Sequence, residues 1–501
     1  MNIVDLQNGS DIRGIAIATE KEQVTLTEQA VRQVASGLRN WLATKGSGPF
    51  RVAVGRDSRL SGEALQEVLT AQLQQEGVAV IDCGLATTPA MFMSTQFADF
   101  DCDAGMMLTA SHLPYYFNGI KIFSRQGGAE KTDIHYILTH TTVHEAAEKG
   151  SYQQKDLLTP YAQDLLQKIR QGIGTNEEKP LAGLKIIVDA GNGAGGFFAE
   201  KVLLPLGADT NGSQFLEPDG HFPNHIPNPD NKEAMASIRE AVLREQADLG
   251  IIFDTDVDRS AVVTKSGEPL NRNNMIAVLS KIILAEHPGT RIVTNSPTSN
   301  HLKTFIEALG GQQVRYISGY RNVINKAIEL NEAGLDTQLA IETSGHAAFK
   351  ENFFLDDGAY VIAKLLMMLP QLQQQGTTLD ELIAALQQPA ETQELRFAIQ
   401  QADYQDYGRQ VIADLADHLL PGWQIDPENE EGIRINLTAP YGQGWFLLRM
   451  SLHEPLLVLQ IENDEAGHLP AVVQAIGRFL SQYEAIDQSK LTQFLAQQPK
   501  I

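Results

Sequence analysis

The sequence predicts an α/β protein: three similar α/β segments with mixed, mostly parallel sheets, then a C-terminal α+β segment. β-branched runs alternate with helical patterns throughout the first three quarters. One order of elements, strand–helix–strand–helix–strand, occurs three times. The last quarter changes to alternating strands with aromatic punctuation. At 501 residues the chain accommodates three or four domains of ~150 residues each.

The first copy opens with R-V-A-V-G-R-D (51–57), continues with G-V-A-V-I-D-C-G (77–84) and closes with A-G-M-M-L (104–108). In the second the three strands are K-I-I-V-D-A-G (185–191), G-A-D-T-N-G (207–212) and L-G-I-I-F (249–253). The third reads R-I-V-T-N-S (291–296), G-G-Q-Q-V-R-Y-I-S-G (310–319) and L-A-I (339–341). After about residue 375 a glutamine-rich helical stretch (Gln371 to Gln375, Leu379 to Gln388) leads into E-G-I-R-I-N-L, G-W-F-L-L-R-M and L-L-V-L-Q-I-E. Their alternation reads as antiparallel strands. The expected domains are 1–155, 156–265, 266–385 and 386–501.

A net charge of −23 argues against nucleic acid and anionic membranes as partners. An anionic substrate then needs a local positive patch or a metal ion. Cys83 and Cys102 have no metal or redox spacing and suggest a reducing compartment. The first ten residues, M-N-I-V-D-L-Q-N-G-S, lack the basic and apolar regions of a signal peptide. No apolar run approaches the ~18 residues a membrane span needs. The expectation is a soluble, cytoplasmic protein.

Ligands of open α/β sheets bind beyond the carboxyl ends of strands. There the three copies place T-A-S-H-L-P (109–114), D-T-D-V-D-R (254–259) and E-T-S-G-H (342–346). Asp254, Asp256 and Asp258 alternate just past an apolar strand, where three like charges repel unless a cation relieves them. Mg²⁺, which takes a few carboxylates plus a phosphate oxygen, suits them. An EF-hand requires glycine and glutamate where this chain has Arg259 and Lys265, so that reading fails. G-N-G-A-G-G (191–196) has dinucleotide-loop spacing, but no clear acid ends a strand about 20 residues on. It reads as a tight strand-to-helix turn. Ser111 alone would be a turn serine, and His346 alone a structural histidine. Beside His112, with Lys121 nearby and a metal loop in the next segment, Ser111 becomes a hydroxyl able to carry a phosphoryl group.

These motifs resemble the α-D-phosphohexomutase superfamily. L-T-A-S-H-L-P with N-G-I-K, F-D-T-D-V-D-R and E-T-S-G-H carry the likeness, which runs from D-I-R-G (11–14) through G-R-D-S-R (55–59) to L-R-M-S-L-H-E-P (448–455). The resemblance implies four domains around a central cleft and a phosphohexomutase acting on glucose or mannose phosphates. Ser111 resembles the serine that is phosphorylated, and with Asp254, Asp256 and Asp258 it resembles the Mg²⁺ site. Arg259 falls near the transferring group; Arg13, His112 and Lys121 resemble active-site residues, Lys121 as an acid/base. Glu342 and Ser344 resemble the pair that holds sugar hydroxyls, with His346 close to the reacting oxygen. Gly319, Tyr320 and Arg321 match the sugar loop, and Arg449 and Ser451 the phosphate grip. A hexose 1,6-bisphosphate is the implied intermediate, sugar phosphates are the implied partners, and the protein is expected as a monomer or dimer.

The chain departs from the family in places. Leu113 replaces an asparagine, and Thr255 and Val257 replace glycines of the metal loop. The phosphate loop, R-P-S-G-T-E-P-K in the family, reads R-M-S-L-H-E-P-L (449–456). A glycine and a lysine are lost, and His453 is a titratable partial substitute. Two further readings follow: a synthase that releases hexose 1,6-bisphosphate, made with another sugar bisphosphate as donor, and a non-catalytic sugar-phosphate sensor. The intact serine, aspartates and Lys121 argue against the sensor.

Overall fold

The computed structural model describes residues 2–452 and 454–497. The chain forms two compact units, one of Met1–Ile282 with Gln338–Ile383 and one of Ile283–Thr337 with Ala384–Ile501.

In the first unit a mixed sheet runs in the order Asp11–Ile15, Phe117–Ser124, Ala104–Leu108, Arg51–Arg56, Ala79–Leu85. The last three strands are parallel, and Phe117–Ser124 is antiparallel to both its neighbours. Ala104–Leu108 is buried along its whole length, as its unbroken apolar run requires. Helix Glu28–Ala43 starts on Thr27, whose side chain accepts from the Ala30 amide, and buries Val31, Val34, Leu38 and Trp41 along one face. Gly55 and Gly105 leave room for helix Thr88–Met93 to lie directly on the sheet: a Cβ at Gly105 would run into the Met91 carbonyl. That close approach brings the start of the helix to the loop after Phe253, where the Thr88 amide donates to the Asp256 carbonyl at 2.9 Å.

The second sheet of this unit centres on Leu249–Phe253, parallel to Ile186–Asp189 and antiparallel to Ser260–Thr264. The expected strand at 207–212 does not form. Gly207 and Gly212 take positive φ, and Asp209 caps the Asn211 amide, so only a single bridge from Lys185 to Asp209 remains. G-N-G-A-G-G is a tight turn, as expected. A Cβ on Gly193 would lie 2.6 Å from the Thr255 carbonyl oxygen, so its glycine is needed for backbone approach to the aspartate loop. Strands Thr337–Ile341, Ala347–Phe349 and Leu355–Asp356 pair antiparallel, and helix Gly358–Gln375 follows, capped by Asp357. Of the helix expected at 379–388 only the turn Glu381–Ile383 appears. Left-handed Gly376 ends the preceding helix, and Pro389 pushes Gln388 out of the helical region.

The second unit contains the parallel pair Arg291–Asn295 and Gln312–Tyr316 and an antiparallel sheet ordered Glu391–Ala398, Leu456–Asn463, Gly444–Met450, Ile433–Leu437, Trp423–Ile425. Phe397, Phe446, Leu459 and Val473 lie in its core. The antiparallel reading of the C-terminal strands holds. Among the described residues no helix is long and apolar enough to cross a membrane. Cys83 and Cys102 are free and buried.

Candidate active site

Ser111 follows the buried strand Ala104–Leu108 on a turn in which its own backbone is left-handed, φ 51°. Its amide donates to Thr109 Oγ1 at 2.9 Å. Ser111 is 3% exposed. Ser111 Oγ donates to Asp254 Oδ2 at 3.2 Å and accepts from Arg259 Nη2 at 2.9 Å. The two loops thus meet at the hydroxyl.

Strand Leu249–Phe253 stops at Phe253, and Asp254 to Asp258 form a buried turn. One oxygen from each of the three carboxylates falls within 4.8 Å of the others. Lys121 pairs with Asp258 and lies 3.3 Å from Asp256 Oδ2, while Arg259 Nε lies 3.2 Å from Asp254 Oδ2. Thr88 Oγ1 donates to Asp256 Oδ2 at 2.5 Å. Burial, and then the neighbouring Asp258 and Asp256, hold the Asp254 carboxyl well above the usual range. Burial pushes Asp258 up as well, but Lys121, His346 and Arg259 outweigh it and hold that carboxyl low. Asp256 Oδ1 and Asp258 Oδ1 are buried with no hydrogen-bond partner. Three carboxylates gathered on one buried turn, with two of their oxygens accepting no hydrogen bond, are a donor set that fits a hard divalent ion.

His112 is neutral. Burial first, then the charges of Arg259 and Arg13, push its pKa down to about 2, and its Nδ1 accepts from Arg259 Nη2 at 2.6 Å. His346 goes the other way: burial opposes its charge, but Asp356 and Asp258 raise its pKa, and Nδ1 is paired with Asp356. A single bridge between Arg259 and His346 ties the E-T-S-G-H turn to the aspartate loop. Within that turn Gly345 takes φ 98°, and its amide donates to the Glu342 carbonyl at 3.1 Å. Glu342 is buried, and Ser344 Oγ is buried without a hydrogen-bond partner. Arg13 lies on strand Asp11–Ile15, 3.0 Å from Asp11 Oδ2.

Ser111, His112, Lys121, the three aspartates, Arg259 and His346 therefore form one connected cluster, with Glu342 and Ser344 on the adjoining turn. The sequence reading missed four of its supports: Asp356 behind His346, Thr88 on Asp256, Asn228 accepting from Arg259 Nη1 at 3.2 Å, and Arg59 under the serine turn. D-D-G at 356–358 and the G-R-D-S-R run were the visible signals for Asp356 and Arg59.

The remaining expected residues lie in the second unit. Gly319, φ 116°, precedes helix Tyr320–Glu332, and Arg321 Nη2 donates to Asn325 Oδ1 at 3.0 Å. Ser318 donates through both amide and hydroxyl to Glu431, whose other oxygen lies 3.8 Å from Arg449 Nη1. The Ser451 amide donates to the Leu456 carbonyl at 2.9 Å. Leu452 is 47% exposed, and its Cδ1 would lie 3.6 Å from a Cβ on Gly319. His453 lies outside the described residues.

Comparison with known proteins matches three family models: phosphoglucomutase/phosphomannomutase alpha/beta/alpha domain I at residues 5–147, domain II at 159–267 and domain III at 271–390. A phosphoglucomutase of Neisseria gonorrhoeae is 30% identical over 490 residues, 97% of either chain. A phosphomannomutase/phosphoglucomutase of Pseudomonas aeruginosa is 31% identical over 443 residues, 87% of this chain and 88% of its own. The crystal structure of a phosphoglucomutase/phosphomannomutase family protein from Burkholderia thailandensis superimposes with a TM-score of 0.77. It shares 26% identity and covers 95% of this chain and 98% of its own.

Proposed function

We propose, for a chain that belongs to the phosphoglucomutase/phosphomannomutase family of intramolecular phosphotransferases, that Ser111 carries the phosphoryl group exchanged with a glucose or mannose phosphate. One observation carries this reading: Ser111 Oγ is held between Asp254 and Arg259, beside two buried carboxylate oxygens that accept no hydrogen bond. Asp254, Asp256 and Asp258, with an oxygen on Ser111, would hold Mg²⁺, which supplies charge neutralisation for the transferring group.

Transfer breaks the phosphorus–oxygen bond to Ser111 and forms one to a sugar hydroxyl. The proton is exchanged through Lys121 or His346, which gives one to the departing Ser111 Oγ and takes one from the attacking sugar hydroxyl. Arg259 offsets the charge that develops on the phosphoryl oxygens, with Arg13 and neutral His112 beside it. The product is a hexose 1,6-bisphosphate; once it turns over, its other phosphate returns to Ser111 and the proton goes back. Glu342 and Ser344 hold sugar hydroxyls, Gly319 to Arg321 contact the ring, and Arg449 with Ser451 grips the phosphate that is not reacting. The four segments 1–155, 156–265, 266–385 and 386–501 each contribute one of these loops.

Peptide mass measurement after incubation with hexose 1,6-bisphosphate and Mg²⁺ tests the reading. Phosphate on Ser111 is expected, and phosphate only at another serine sinks it. A second reading, bisphosphate release, is favoured by exposed apolar Leu452 where the family has glycine. It requires free bisphosphate to accumulate beyond the enzyme concentration when a hexose monophosphate and a second sugar bisphosphate are supplied together. Absence of any Mg²⁺-dependent exchange would leave the sensor reading.

A further inference from the structure

We infer that Arg59 is a positioning residue for phosphoryl transfer: one buried guanidinium fixes the turn from which Ser111 presents its hydroxyl. The inference rests on Ser111 as the phosphoryl carrier. Arg59 is 2% exposed. Its Nη1 donates to the carbonyls of Pro114 and Phe117 at 2.8 and 3.0 Å, and its Nη2 to those of Ser111 and Leu113 at 2.5 and 2.7 Å. Nε faces Asp57 Oδ2 at 3.3 Å, while Asp57 Oδ1 accepts from the Arg59 amide at 2.9 Å. The Phe222 ring covers the guanidinium, 5.3 Å from its carbon. A guanidinium has five N–H donors; here the four on the Nη atoms reach carbonyls, while Nε meets Asp57 as an ion pair without a hydrogen bond.

That arrangement bears on the geometry of Ser111. A serine with φ 51° occupies backbone space that L residues seldom use, and such a conformation persists only where the surroundings over-determine it. Arg59 holds the Ser111 carbonyl and Thr109 Oγ1 holds its amide, so both peptide groups flanking the residue are fixed. From that fixed backbone the hydroxyl points toward Asp254 and Arg259. The same fork spans the turn to Phe117, where the strand carrying Lys121 begins. Nucleophile and proton-transfer lysine are thereby set from one point. Lysine at this position would keep the charge and lose the planar fork, with too few donors for four carbonyls.

Three full-length proteins test this: wild type, Arg59→Lys and Asp57→Asn, the last removing the charge opposite Nε while keeping an acceptor for the Arg59 amide. Each is incubated with hexose 1,6-bisphosphate and Mg²⁺, the fraction of Ser111 that takes phosphate is measured by peptide mass, and kcat is expressed per phosphorylatable Ser111. Since a misplacement of about 1 Å costs roughly 10²-fold in rate, Arg59→Lys should lower this kcat by about that factor and Asp57→Asn by about tenfold. KM for the sugar phosphate should stay within about threefold, because the lost interaction acts in the transition state. A residue that merely stabilised the fold would lower Tm and the phosphorylatable fraction, leaving kcat per site at the wild-type value; that result overturns the inference. If Arg59→Lys does not fold, Asp57→Asn decides alone, and a wild-type kcat there is equally fatal. Wild-type protein that takes no phosphate on Ser111 removes the carrier reading and this inference with it. Phosphorylated wild type with unimpaired variants removes this inference only.

Discussion

The serine turn and the aspartate turn solve the same backbone problem with opposite means. Each ends a buried strand, and each bends through a left-handed residue that is not glycine: Ser111 at φ 51° and Val257 at φ 66°. The serine turn is gripped by charge, through Arg59 on four of its carbonyls. The aspartate turn is gripped by packing. Val257 is fully buried, its carbonyl accepts from the Gly358 amide at 3.0 Å, and Gly193 and Gly358 allow backbone to press against it from two sides. Lys121 and Arg259 already pair with the carboxylates of this turn, so its backbone is left to packing. Burial fixes it without adding charge, at the expense of the raised pKa of Asp254.

The largest expected effect removes what the two turns share. Ser111→Ala should show no turnover above background while unfolding within about 3 kcal/mol of wild type, since only one buried hydroxyl's hydrogen bonds to charged partners are lost. Steady-state assay with a denaturant titration checks both halves; surviving turnover would mean that another group carries the phosphate. Next, Asp256→Asn should lower activity by about 10²–10³-fold and raise the Mg²⁺ concentration needed for half-maximal rate, because one metal-facing carboxylate is gone. Full activity of the wild type in excess chelator would show the aspartate turn to be structural only. Glu342→Ala should act mainly on sugar recognition. We expect KM for the hexose phosphate to rise by about 10–100-fold, the loss of one or two hydrogen bonds to a charged acceptor. A change in thermal stability alone would place Glu342 outside the sugar site.

The aspartate turn was legible in the sequence and the grip on the serine turn was not, for a physical reason. Three carboxylates at alternate positions after an apolar run create an electrostatic problem that can be seen in one dimension, and the cation that solves it follows from the residue types. Arg59 serves backbone carbonyls 52 to 58 residues away, and nothing in their residue types announces a donor. Thr88 was hidden in the same way, since it acts on Asp256 only once folding brings the two together. The strands were readable wherever burial made them continuously apolar, as at 104–108 and 249–253. At 207–212 two glycines and an Asp–Asn turn outweighed the expected repeat. The loop at 449–456 was readable as a departure, and Leu452 beside Gly319 gives that departure a place in the second unit.

Packing as the grip on the aspartate turn yields a comparison of two valines. Val257 and Val263 are both fully buried, but Val263 lies in the ordinary strand Ser260–Thr264 and Val257 is left-handed. Glycine at either site forfeits about 1.5–3 kcal/mol of buried side chain and about 0.5–1 kcal/mol of chain entropy. At Val257 it also relieves backbone strain of order 1–3 kcal/mol. Val257→Gly should therefore destabilise by about 2 kcal/mol less than Val263→Gly in chemical denaturation, with activity retained. Equal losses would show that the left-handed valine stores no strain.

The smallest effect concerns the support behind the same turn. Asp357 begins the helix whose Gly358 packs on Val257 and Arg259, and it accepts from the Tyr161 hydroxyl at 2.6 Å and from the Tyr360 amide at 2.9 Å. Burial raises its pKa from 3.8 to about 6, partly offset by those hydrogen bonds. Because the folded form holds the proton more tightly than the unfolded chain, this group's stabilising contribution is complete below about pH 4 and is lost as pH rises through about 6. Between about pH 6.5 and 5 the wild type should gain roughly 1 kcal/mol that Asp357→Asn does not gain, one pKa unit being worth about 1.4 kcal/mol. Denaturant titrations of both proteins at the two pH values give the difference directly, with every other titrating group cancelling between them. A difference of zero would mean that Asp357 titrates alike in the folded and unfolded chains, so the cap behind the aspartate turn would be wet. A difference of opposite sign would make it a charged anchor like Arg59, and the contrast between the two turns would fail.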